Sequence, residues 1–147
     1  MALKGFEDYI HDGVVRKVSR NTERAKSLID ESERKFASLK EKIEKIGIRD
    51  DNANDYVENC YDIIMRLIRS KLYLEGYYSS GFGAHEAEVS YLKVLGFDEN
   101  DVRFTDKLRY FRNGISYYGT CLDKEYAEKV VDFTKRIYRE LKKIVGL

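Results

Sequence analysis

The chain has no proline in 147 residues. Proline blocks helix interiors and marks many loops, so its absence removes the commonest interruption of long helices. Apolar residues spaced by three and four fill the chain instead. Val15, Val18, Thr22, Ala25, Ile29, Ser32, Phe36, Leu39, Ile43 and Ile46 form one such seam. It predicts a long amphipathic helix that closes at Gly47. Polar Thr22 and Ser32 on the seam favour packing within a bundle over an open coiled coil.

The remaining segments follow the same grammar. Asp50, Asp51 and Asn52 supply caps for a second helix from Asn54 to Tyr78. Its stripe, which includes Tyr56, Cys60, Tyr61, Ile64, Leu67 and Ile68, is too wide for one neighbour, so this is the central helix. Ser79 to Gly83 reads as a turn. It lacks the lysine and Ser/Thr of a phosphate-binding P-loop, and no strand pattern precedes it. A short helix from Ala84 to Leu95 ends at Gly96. Asp98 to Asp101 place carboxylates at the start of the next helix, which stops at Gly119. Asp123 caps the last, running through Ala127 to Ile144. No stretch sustains the period of two that marks a strand. The expectation is an all-α fold over residues 1–147: a single-domain antiparallel bundle of four principal helices plus one or two short ones. Residues 1–14 stand as an N-terminal extension with no assigned element.

Lys and Arg total 27 against 26 Asp and Glu. No global basic field draws in nucleic acid, so such a role has to rest on a local patch. Cys60 and Cys121 are far apart and make no metal-ligand spacing; they read as free thiols of a reducing cytosol. The first ten residues lack the apolar core of a signal peptide, and no run approaches a membrane span of roughly 20 residues. The composition therefore predicts a cytoplasmic protein with no membrane partner, no metal and no cofactor. Abundant Glu, Lys and Arg, with tryptophan and glutamine absent, resemble proteins from hot environments.

Function is concentrated in Arg109 to Gly119, RYFRNGISYYG. At about 100° per residue, Thr105, Arg109, Arg112, Asn113, Ser116 and Tyr117 share one arc, while Phe104, Leu108, Phe111, Ile115 and Tyr118 lie opposite. Two guanidinium forks, an amide and two hydroxyls suit a phosphate and its attached sugar or base, and the tyrosine rings suit stacking. The competing reading is a solvated face bonded to Asp106 or to carboxylates of another helix. Gly114, inside the helix, costs roughly 1 kcal/mol against alanine. It marks either a close approach of a helix, subunit or ligand, or a local helix break.

These residues on a late helix of a four-helix layout resemble the HEPN superfamily, and the similarity of layout runs from about Val15 onward. The resemblance implies an all-α, commonly dimeric protein. Many members are metal-independent ribonucleases of toxin–antitoxin and defence systems, often beside a small nucleotidyltransferase partner. Their signature is an arginine, a polar residue, and a histidine about four to six positions on. The arginine maps to Arg112 and the polar residue to Asn113. The histidine positions map to Tyr117, Tyr118 or Gly119, none of them histidine.

That departure has a chemical consequence. Metal-free RNA cleavage needs a proton acceptor, a proton donor and charge for the phosphorane. Arginine supplies the charge, and histidine suits the proton transfers. A tyrosine with an ordinary pKa near 10 is a poor base at pH 7. The resemblance thus implies Arg112, Asn113 and Tyr117 as catalytic candidates of a degenerate ribonuclease, with Arg109, Ser116, Tyr118 and His85 as ligand-binding candidates. His85 is read either as an ordinary residue at the start of its helix or as a group facing Arg112 across the fold or a dimer interface. The alternative function is a non-catalytic dimeric interaction protein, for example a partner of a small nucleotidyltransferase.

Overall fold

The computed structural model describes residues 3–146, the side chain of Tyr117 apart. The elements are α1 (Phe6–His11), β1 (Val15–Lys17), α2 (Thr22–Ile46), α3 (Ala53–Glu75), β2 (Tyr77–Ser79), α4 (Ala84–Val94), α5 (Glu99–Tyr118) and α6 (Lys124–Val145), with a 3-10 turn Asp50–Asn52 leading into α3. The fold is all-α, with α2, α3, α5 and α6 as the principal helices.

As its wide stripe requires, α3 is central and packs against α2, α4, α5 and α6. Ile63, Ile64, Leu67 and Ile68 are all fully buried, which closes more than one side of this helix. Burying such side chains stabilises the fold by about 25 cal/mol for each Å² of apolar surface removed from water. Ser32, the polar break in the α2 seam, donates its hydroxyl to the Ile63 carbonyl at 2.9 Å. One turn along, Glu31 meets Arg66 at 3.2 Å, so α2 and α3 run antiparallel. Asn54 ties the start of α3 to the turn before α6, donating to the Thr120 carbonyl and accepting from the Leu122 N–H, both at 2.8 Å. Cys60 lies beside Thr134 further along, so α3 and α6 share a direction. Phe104 and Phe111 of α5 pack on Phe133 and Tyr126 of α6, respectively, which makes that pair antiparallel.

The helix ends follow their capping residues. Asn21, Asp98 and Asp123 each accept a backbone N–H of the first turn, from Arg24, Asp101 and Tyr126 at 2.8–2.9 Å. This corrects the start of α2. Val15 and Val18 are not on its seam, because the Asn21 cap starts the helix at Thr22. Val15 instead lies buried in β1, which pairs antiparallel with β2 in the register Val15↔Ser79, Arg16↔Tyr78, Lys17↔Tyr77.

The expectation of no strand is overturned as well. Three-residue strands are too short to show alternation, and the ribbon is set by tertiary bonds. The Val18 N–H donates to the Gly76 carbonyl at 2.8 Å, and the Asn21 N–H to the Tyr73 carbonyl at 3.1 Å. The left-handed Gly76 ends α3 at Glu75, short of Tyr78. A Cβ there would meet the Val18 carbonyl oxygen at 2.8 Å, so no other residue fits. Within the N-terminal extension, α1 buries Phe6 and Tyr9, and Phe6 packs on Tyr77 and Tyr91.

Candidate functional site: the α5 arc and the His85 cluster

Thr105 drops out of the polar arc. It is fully buried and donates to the Asp101 carbonyl at 2.9 Å within the helix. Arg109, whose side chain is 19% exposed, donates from Nε to Asp106 at 2.7 Å and lies 3.7 Å from Glu86 of α4. Arg112, 37% exposed, lies 3.8 Å from Asp62 and 4.0 Å from Glu58, both on α3. Two positive charges thus face four negative ones. Adding Arg66, which shares Asp62 and pairs with Glu31, leaves carboxylates in excess. The expected bonding to Asp106 and to carboxylates of another helix is therefore present for Arg109 and, more loosely, for Arg112. Neither Arg112 contact is a hydrogen bond, and its Nε is buried with no partner among the described residues.

Asn113 and Ser116 are exposed. Tyr117 has its side chain outside the described structure. Tyr118 does not pack with the apolar side of α5: it is 85% exposed, and Tyr110 is 69% exposed. With Phe111, Asn113, Gly114 and Thr120 they line a depression of ≈ 550 Å³. The close approach expected at Gly114 is made by the chain's own α5–α6 turn. A Cβ there would lie 2.7 Å from the Thr120 hydroxyl oxygen, and α5 continues through it without a break.

His85 is held within its own fold, beside Arg69 of α3. Glu88 is the hub of the cluster. One of its oxygens accepts from Arg69 Nε at 2.9 Å and from the Ser79 hydroxyl at 2.8 Å. The other lies 3.0 Å from His85 Nδ1. Burial would raise the Glu88 carboxyl, but the His85 bond, the Arg69 charge and the further bonds reverse this and hold it below the ordinary carboxylate range. His85 Nδ1 lies between two partners, the Glu88 carboxylate at 3.0 Å and Arg69 Nη2 at 3.1 Å, while Nε2 makes no hydrogen bond among the described residues. Above this floor Tyr73, Tyr77 and Tyr78 wall a pocket of ≈ 210 Å³. The Tyr61 hydroxyl lies among Glu88, Arg69, Arg109 and Arg112, buried and without a hydrogen-bond partner. Desolvation there pushes its pKa up.

His85 makes its contacts with Glu88 and Arg69, and the adjoining Glu86 pairs with Arg109 of α5. The spacing of His85 to Glu88, three residues along one helix face, was visible in the sequence. Arg69 and Ser79 were not, since they come from α3 and β2 and meet Glu88 only after folding. Among the described residues no group of His, Cys, Asp and Glu is arranged to hold a metal ion, and no helix is long and apolar enough to cross a membrane. Both cysteines are free, Cys60 buried and Cys121 exposed. Comparison with protein-family models, with curated proteins and with solved structures finds no match.

Proposed function

We propose that this HEPN-like domain works through self-association at the C-terminal end of α5 and not through phosphate chemistry on it: a non-catalytic dimeric interaction protein. The observation that carries this reading is the contrast along α5 itself. Its arginines already face excess carboxylate, while Tyr110 and Tyr118 stand exposed beside an apolar depression. Tyrosines of this kind are frequent anchors of protein interfaces. One copy offers both a protruding ring and a depression, so a two-fold axis lets each Tyr118 enter the other's depression. The commonly dimeric state of the family that the chain resembles supports the same assignment, and a nucleotidyltransferase-type partner would compete for this face.

Sedimentation over a concentration series tests it. The wild type dimerises, and Tyr118→Asp shifts the equilibrium toward monomer by at least about tenfold, the size of a modest interface anchor. Cys121, in the adjoining turn, becomes protected from alkylation as the dimer forms. Cys60 stays unreactive throughout, its thiol pushed up to about 12 by burial against a weaker opposing bond from Thr134. A wild type that stays monomeric at every concentration sinks the proposal.

A second reading, RNA or nucleotide binding at the arc, is favoured by one observation, the unpartnered Nε of Arg112 between two carboxylates that do not hydrogen-bond it. Under it, Arg112→Ala weakens RNA binding and flattens its salt dependence while the dimer is unchanged.

A further inference from the structure

The ribbon of β1 and β2 carries a surface that the α5 reading does not use. Residues 13–22 and 76–85, which hold both strands and their flanks, contain no Asp or Glu, in a chain with 26 of them. They do contain Arg16, Lys17 and Arg20, all exposed. None of the three forms an ion pair among the described residues. Of the carboxylates bordering the two segments, Asp12 is paired with Lys4, Glu75 with Lys71 and Glu86 with Arg109, Glu88 is buried among Arg69, Ser79 and His85, and Glu23 is exposed at the start of α2.

Aromatic rings stand among these cations. Arg16 lies opposite Tyr78 across the ribbon, its guanidinium carbon 5.5 Å from the ring centroid. Tyr73 packs beside Tyr78 at 6.4 Å, and the two help to wall the ≈ 210 Å³ pocket above Arg69 and His85. Phe82, on the following turn, is 98% exposed. The pocket is smaller than the roughly 300 Å³ of usual small-molecule sites, which fits one flat ring rather than a whole ligand. Its floor offers ring-edge chemistry in Nε2 of His85 and Nη1 of Arg69, which make no hydrogen bond among the described residues, and neither do the hydroxyls of Tyr73, Tyr77 and Tyr78.

We propose that this ribbon and pocket bind single-stranded nucleic acid, with Arg16, Lys17 and Arg20 on successive phosphates and one unstacked base in the pocket against Tyr78 and Tyr73. Exposed cations that no ion pair engages supply the salt-dependent, sequence-tolerant attraction to a phosphate backbone. Adjacent rings supply stacking, which only an unpaired base can use. A polar-floored pocket of single-ring size separates this surface from one made for lipid, which would need an apolar floor. The site is independent of the α5 face, so either proposal can fail alone.

Fluorescence anisotropy with a labelled oligouridylate of about 12 nucleotides, a duplex RNA of the same length and oligothymidylate tests it, beside flotation with phosphatidylserine vesicles. The wild type binds the single strands at low salt and the duplex several-fold more weakly; RNA against DNA preference reads out which backbone the ribbon prefers. Arg16→Ala lowers the slope of log K on log salt by about 0.7, the value for one phosphate contact on a single strand. Tyr78→Leu, which keeps an apolar side chain but loses the ring, weakens binding about tenfold. Both positions are exposed, so thermal unfolding is expected to match the wild type. Lys129→Ala, an exposed cation on α6, leaves binding unchanged. The proposal is overturned by no binding at low salt, by equal binding of duplex and single strand, by indifference to both ribbon variants, or by capture of vesicles without nucleic acid.

Discussion

On α5, Arg109 and Arg112 stand among four carboxylates, whereas Arg16, Lys17 and Arg20 of the ribbon form no ion pair among the described residues, and Glu75 beside Arg20 is held by Lys71. The arginine-rich face looked electropositive as a helical arc, yet its neighbours on α3 and α4 leave it with excess negative charge. The ribbon is unremarkable as a string of residues, yet it is where cations and exposed rings coincide. A local motif fixes which groups are present, and packing fixes what field they make. Charge at a site is a property of all the elements that meet there.

The largest effect that tests the contrast lies under the ribbon's pocket. Glu88→Ala leaves Arg69, His85 and Ser79 without their shared acceptor, and breaking such a buried pair costs about 3 kcal/mol. Arg112→Ala, at the half-exposed arc, costs less than about 1 kcal/mol. Urea unfolding of the two variants measures both, and equal losses would remove the distinction between a fixed cluster and a loose one. The same carboxylate makes stability pH-dependent. Its folded pKa lies below the ordinary 4.5, so its contribution is fully present above that value. It is lost as pH falls from about 5 through the folded value. Glu88→Gln flattens that acid limb, which unfolding midpoints across the range will show.

A smaller change breaks the comparison on purpose. Glu58→Gln with Asp62→Asn strips Arg112 of its nearby negative charge. If field alone separates the two regions, affinity for single-stranded RNA rises about threefold at low salt and its salt dependence steepens by about 0.7. An unchanged affinity would assign the difference to the rings of the ribbon instead.

The smallest effect concerns Gly114. Alanine there gains up to about 1 kcal/mol of helix propensity, opposed by the 2.7 Å approach of the Thr120 hydroxyl. Gly114→Ala alone is expected to shift the melting temperature by only a few degrees, and to stabilise more clearly in a Thr120→Ala background. A large loss in both would mean that something other than Thr120 presses on this backbone.

Much of the fold was readable because its signals are local. Asn21, Asp98 and Asp123 cap because a short polar side chain reaches an N–H in the next turn. Gly47, Gly76 and Gly119 end helices where the backbone takes positive φ. The spacing in α3 foretold a helix enclosed on several sides. The errors fell where partners are distant. Val15 and Val18 continue the spacing of α2, but the backbone bonds from Val18 and Asn21 to the end of α3 pull that stretch into a ribbon. Thr105 fitted the polar arc by angle, yet an intrahelical bond satisfies its hydroxyl and lets it be buried.

The candidate site divides the same way. Residue type and helical angle by themselves determined that Arg109, Arg112, Asn113 and Ser116 lie on one helix, that no histidine follows Arg112 and Asn113 at Tyr117, Tyr118 or Gly119, and that His85 and Glu88 share a face. Only the tertiary structure decided that carboxylates of α3 and α4 surround the arginines, that Arg69 and Ser79 complete the His85 cluster, and that Arg16 meets Tyr78. The physical reason is range. Propensity, capping and periodicity act within a turn or two of the chain, whereas desolvation, ion pairing and the field at a surface depend on whichever segments folding brings within a few ångströms.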